Sequence, residues 1–161
     1  MSALVLALVL HAAPLVPEPR LHVVAQLDLT GGARAVAAPF FFGLDAMVGA
    51  RFDPVRFGAQ VRGLFSRETG LDVGGFFTVD LVRVELDSRL TLAVFTGVDV
   101  MARWMPGRPS PWSTVLLGQT GLRVLGITLT VAGGAEVPSG LGDGEVRLGV
   151  DLVEFVTFLK T

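Results

Sequence analysis

From Gly43 to Phe52 the chain alternates without interruption. Leu44, Ala46, Val48, Ala50 and Phe52 form one row, and Gly43, Asp45, Met47, Gly49 and Arg51 form the other. A period of two places successive side chains on opposite faces of a strand and is incompatible with the 3.6-residue repeat of a helix. After Asp53-Pro54, a tight turn, the alternation resumes as Val55, Phe57, Ala59, Val61, Gly63 and Phe65 against Arg56, Gly58, Gln60, Arg62, Leu64 and Ser66. Proline suits the turn because it presets φ and cannot donate to a ladder.

The pattern recurs along the chain. Arg67 to Gly70 reads as a turn, followed by a strand over Leu71–Val82 whose polar row carries Asp72, Thr78 and Asp80. A break at Asp87-Ser88 precedes a strand over Leu90–Met101 with Asp99 on the polar row. Trp104 to Ser113 holds three prolines, a glycine and both tryptophans, and reads as a long loop. Leu116–Val124, with Arg123, and Ile127–Glu136 are joined by a turn at Leu125-Gly126. Pro138 to Gly144 reads as another loop, and Val146–Leu152 as the last strand. Glu154 falls on the apolar row of that strand, which implies a bulge or a shifted register there. A first strand near Leu21–Leu29 brings the total to eight, linked by hairpin-length connections, with short turns at one end and the longer loops at the other. No stretch suggests an internal helix, so parallel βαβ folds are excluded.

Alternation alone fits two barrels, a soluble one with an apolar interior and a membrane one with an apolar exterior. The polar row separates them. It consists mainly of Gly, Thr, Gln, Asp and Arg, with small residues between the charges, which suits a crowded lumen better than a solvated exterior. An eight-stranded barrel is only wide enough for side chains to fill. Asp45, Asp72, Asp80 and Asp99 are thus expected to pair in the lumen with Arg51, Arg56, Arg62 and Arg123. Every basic residue except Lys160 is arginine. Its planar fork serves confined ion pairs, whereas a solvated surface ordinarily relies on lysine. The expected fold is therefore all-β, an eight-stranded antiparallel up-and-down transmembrane β-barrel.

The N-terminus reads as an address. Ala3 to Leu10 is the longest apolar run, far short of the roughly 20 residues of a membrane-spanning helix, and small residues follow it. Residues 1–20 are accordingly expected to be a secretory signal peptide and a linker marked by Pro14, Pro17 and Pro19, and residues 21–161 the barrel.

On strand count, loop asymmetry and face chemistry, Leu21 to Thr161 resembles the small outer-membrane barrel superfamily of the OmpA, OmpX and OmpW type. The resemblance implies a monomer that spans a Gram-negative outer membrane, is inserted by the barrel-insertion machinery and contacts outer-membrane lipid. It implies anchoring, adhesion, envelope integrity or passage of small molecules as the role.

The inventory for chemistry is thin. The formal net charge of −2 gives no reason to expect a nucleic-acid partner. Cysteine is absent, which removes thiolate metal sites and cysteine nucleophiles. The two histidines are His11, inside the expected signal, and His22, which reads as a solvated or interfacial side chain. No catalytic residue, cofactor or metal site is assigned, although Asp143 and Glu145 are conceivable calcium ligands. The lumen charges read as a static salt-bridge plug, with a selectivity path as the alternative. Trp104 and Trp112 read as an exposed recognition loop or as interface anchors. The expected function is a non-enzymatic outer-membrane barrel with a structural, anchoring or surface-interaction role. The alternatives are a narrow pore or transporter for small or apolar solutes, porin-like in action, and a soluble lipocalin-like periplasmic carrier.

Overall fold

A computed structural model of the chain describes residues 21–34, 40–66, 69–85 and 91–160. These form eight strands, β1 (His22–Arg34), β2 (Phe40–Phe52), β3 (Val55–Phe65), β4 (Gly70–Glu85), β5 (Thr91–Trp104), β6 (Trp112–Val124), β7 (Ile127–Val137) and β8 (Leu141–Asp151), followed by a short helix, α1 (Leu152–Lys160). Each strand pairs antiparallel with its neighbour in sequence, and β1 pairs with β8, so the sheet closes into an up-and-down barrel. The expected signal and linker, residues 1–20, lie outside the described residues.

The alternation sorts onto two faces. Leu29, Leu44, Val48, Val61, Val98, Val131, Val146 and Leu148 are exposed on the outside, whereas Asp45, Arg62, Asp72, Asp99, Arg103 and Arg147 are buried inside. This is the inverse of a water-soluble protein, and it removes the apolar interior that a lipocalin-like carrier requires. Aromatic side chains mark both ends of the apolar wall. Phe40, Phe42, Phe65, Trp104 and Trp112 are exposed towards one end, and Phe52 and Phe57 stack, with ring centroids 6.4 Å apart, towards the other. Phe42 and Phe52 lie at opposite ends of β2. At about 3.4 Å per residue and a tilt near 40°, the wall between them is about 26 Å tall, close to the roughly 25 Å apolar band of a membrane barrel.

Several strand ends differ from the sequence expectation. β1 runs on to Arg34, β2 starts at Phe40 and β8 starts at Leu141, because alternation of small residues such as Gly31, Gly32 and Ala33 carries no polarity contrast to read. The expected loop over Trp104–Ser113 shrinks to residues 105–111, since β5 and β6 extend to the paired Trp104 and Trp112. A register shift between Asp80 and Val82 marks a bulge in β4. It turns Val82, which strict alternation puts on the polar row with Asp80, outwards to join Leu81.

The turns are tightest at one end, here called the turn end. Asp53-Pro54 and Leu125-Gly126 each join their strands with two residues. In the second, Leu125 and Gly126 both have positive φ, 54° and 78°, as a type I′ hairpin turn requires. Residues 105–111 lie at the opposite, loop end.

The last element is a helix after the final strand, which the alternation does not announce. Asp151 ends β8 and caps α1, its Oδ1 accepting from the amides of Val153 (3.0 Å) and Glu154 (3.1 Å). Glu154 therefore marks neither a bulge nor a slipped strand. The strand stops three residues earlier, and the helical turn swings Glu154 back under the barrel.

Candidate functional site: a lumen filled with ion pairs

The lumen is built in layers from the inward row of every strand. At the loop end, Phe41, Leu64 and Met105 form a small apolar lid, and the Arg34 guanidinium lies 4.9 Å from the Phe41 ring centroid. Beneath it Arg103 organises the first charged layer. Its Nε and Nη2 donate to the two oxygens of Asp72, both at 2.9 Å, and its Nη1 donates to Asp143 (2.5 Å) and Glu136 (3.3 Å). Arg34 Nε sits 3.3 Å from Asp143, and Arg108 from the loop reaches Glu136 at 2.7 Å.

The middle layer centres on Arg62 and Arg147. Arg62 donates to Asp45 (2.6 Å) and Glu145 (2.7 Å), and stands 3.9 Å from Asp72 in the layer above. Arg147 donates to Asp99 and Glu145, each at 2.5 Å. Thr30 and Gln119 complete the carboxylates, donating to Asp45 (2.8 Å) and Asp99 (2.7 Å). Below, Gln26 bridges Asp28 (2.8 Å) and Thr128 (3.1 Å). Gly149 makes room here, since a Cβ at that position would run into the Asp28 carboxylate. Met47, Phe76 and Phe95, all from the row read as polar, fill the space between charges.

At the turn end, Arg123 pairs with Asp80 at 3.0 Å and lies 4.7 Å from the Phe95 ring centroid. Arg56 holds Asp151 (3.0 Å) and Glu154 (2.5 Å), and Arg51 holds Glu154 (2.6 Å) and Asp53. Arg83 reaches Asp53 at 2.8 Å.

Of the pairings expected between the four named aspartates and four named arginines, Asp45 with Arg62 and Asp80 with Arg123 are adjacent in the structure, and Asp72 stands within ion-pair distance of Arg62. The remainder are corrected. Asp99 turns to Arg147, Asp72 is held chiefly by Arg103, and Arg51 and Arg56 are taken by Asp53, Asp151 and Glu154. The partners that sequence reading left out, Arg103, Glu136, Asp143, Glu145, Arg147 and Asp151, stand on the same inward row. Arg103 and Asp143 fall in segments that read as loops or their margins. Asp143 and Glu145 are committed to arginines on a strand, and among the described residues no cluster of three or more His, Cys, Asp or Glu side chains could hold a metal. Trp104 and Trp112 are also corrected from loop to strand: they face each other across β5 and β6 at the wall's rim, centroids 6.5 Å apart. His22 is exposed at the turn end.

Chemically, this arrangement fastens the strands to one another through the interior. Arg34, Arg56, Arg62, Arg103, Arg123 and Arg147 each tie their own strand to at least one other, and stranding a partner among these would leave a buried charge. Two internal voids of about 10 and 20 Å³ each match the space of roughly one water. A wider cavity of about 500 Å³ opens at the turn end, bounded by β1, the two tight turns and α1.

The fold has a solved counterpart. The crystal structure of Neisserial surface protein A superimposes with a TM-score of 0.53 at 14% sequence identity, covering 81% of this chain and 94% of that one. The two chains share the eight-stranded barrel fold. No protein-family model matches the sequence, and no curated protein matches it either.

Proposed function

We propose that this chain is an outer-membrane barrel, its apolar wall in lipid, with a non-enzymatic structural, anchoring or surface-interaction role and a lumen closed to solutes. The observation that carries the reading is the inversion of burial: leucine, valine and phenylalanine cover the outside while the inside is paired arginine and carboxylate. In water such a wall would be an apolar patch far larger than a monomeric protein tolerates. In hydrocarbon it is the stable arrangement, because closure gives each strand a hydrogen-bonded neighbour on both sides along most of its length. The fold shared with Neisserial surface protein A is in keeping with this role. Delivery by a secretory signal in residues 1–20, insertion by the barrel-insertion machinery and a monomeric state belong to the same proposal.

The test is membrane fractionation with gel mobility of boiled and unboiled protein. Recovery with outer membranes and a heat-dependent shift is the expected result; a soluble periplasmic protein without a shift would refute it. For the closed lumen, planar bilayers containing the protein are expected to stay electrically silent, and steady unitary conductance would favour the pore instead.

A further inference from the structure

We propose that α1 replaces β8 as a segment of the lipid-facing wall at the turn end, seating one face on phospholipid acyl chains while its other face closes the lumen. This rests on the membrane reading above. It adds a partner, the membrane interface, for the one element among the described residues that the barrel pattern does not account for.

The placement follows from register. Asp151, the last residue of β8, pairs with Gln26, so His22 to Ala25 at the foot of β1 have no β8 partner. The chain turns helical at that point and α1 packs against β1. The helix therefore stands where β8 would have continued, and its two sides inherit the two sides of the wall.

The helical phase agrees. Leu152, Val156 and Leu159 recur at i, i+4 and i+7, which is one face, and are 41%, 46% and 66% exposed. Glu154 projects from the opposite side into the bonds with Arg51 and Arg56, and Val153 and Thr157 line the cavity at the mouth. The outer face also continues an existing surface, since Leu148 and Leu152 belong to the same outward row of β8 and its extension. A nine-residue helix is too short to persist on its own propensity. The Asp151 cap and the Glu154 ion pairs hold its inner side, and the outer side needs an apolar medium. An interfacial helix of this kind sinks its apolar face about 5–10 Å into the headgroup and acyl boundary.

The chain contains no cysteine, so single cysteines can be labelled with an environment-sensitive fluorophore in the full-length protein. Val156→Cys and Leu159→Cys test the outer face and Thr157→Cys the inner one. Val131→Cys marks the middle of the wall and Ser139→Cys the solvent-exposed loop end. Each is reconstituted in phosphatidylethanolamine–phosphatidylglycerol vesicles with and without doxyl-labelled acyl chains, after its heat-dependent gel shift shows it folded. The expected result is strong quenching at 131, 156 and 159, with 157 and 139 spared. Quenching at 131 without quenching at 156 and 159 would overturn this inference alone and point to a protein partner or open water on that face. Absence of quenching at 131 would overturn the membrane reading and this inference with it.

Discussion

Arg103 meets Asp72 through two parallel hydrogen bonds of 2.9 Å, and neither side chain has any contact with solvent. The guanidinium fork matches the carboxylate in plane and spacing, which a lysine ammonium cannot do. Because the remaining Arg103 nitrogen reaches Asp143 and Glu136, this one side chain links β4, β5, β7 and β8 across the lumen. The barrel is thus braced from within as well as around its girth.

Removing either partner is expected to be severe. Asp72→Ala should destabilise the barrel by about 3–5 kcal/mol, the range for stranding one half of a buried pair. Arg103→Met should cost at least as much, because it leaves three carboxylates facing one another. Equilibrium urea unfolding in phospholipid vesicles measures both, and a neutral Arg103→Met would remove the bracing role.

The wall can be tested by placing a charge on it. Val131→Arg, at an outward position of β7, should destabilise by about 2–4 kcal/mol if its surroundings are hydrocarbon. Ser139→Arg, in the β7–β8 connection, should stay within about 0.5 kcal/mol of the parent. Equal effects at the two positions would mean that both face water.

Leu125 occupies the left-handed region, with φ at 54°, which costs a residue with a branched side chain about 1–2 kcal/mol. Leu125→Asn, forming the Asn-Gly pair preferred in type I′ turns, should stabilise the barrel by about 1 kcal/mol. A raised unfolding midpoint at unchanged denaturant slope is the expected readout.

Asp151 has two tasks that conservative substitution separates. Asn retains the cap on α1 but gives up the charge that pairs with Arg56, whereas Ala loses both. Both variants should be destabilised, with Asp151→Ala worse than Asp151→Asn by about 1 kcal/mol, the usual worth of an N-cap. Identical losses would mean that the ion pair alone matters.

Much of the architecture was legible because it rests on a local, repeated signal. Alternation is written within each strand, so strand number, order and the inward row of Asp45, Arg62, Asp72 and Asp99 can be read without knowing any partner. Pairing across the lumen is different. Arg147 meets Asp99 because tilt and closure set the relative height of β5 and β8, and no local pattern encodes that height. The bulge beside Asp80 was hidden for a related reason, since one extra residue changes the phase while each half still alternates. For α1 the trace was present but ambiguous. Leu152 to Leu159 fits a strand nearly as well as a helix, and only Glu154 on the wrong row signalled that period two had ended.

The pairing of β1 with β8 joins the first described strand to the last. Until Asp151 is brought beside Gln26, β1 and β8 each present an unpaired edge. That contact has nearly the greatest separation along the chain, and contacts of that kind are the slow ones. Ring closure between β1 and β8 is therefore expected to come late in assembly. A chain cut short before β8 would leave β1 and β7 with open edges rather than close into a smaller barrel.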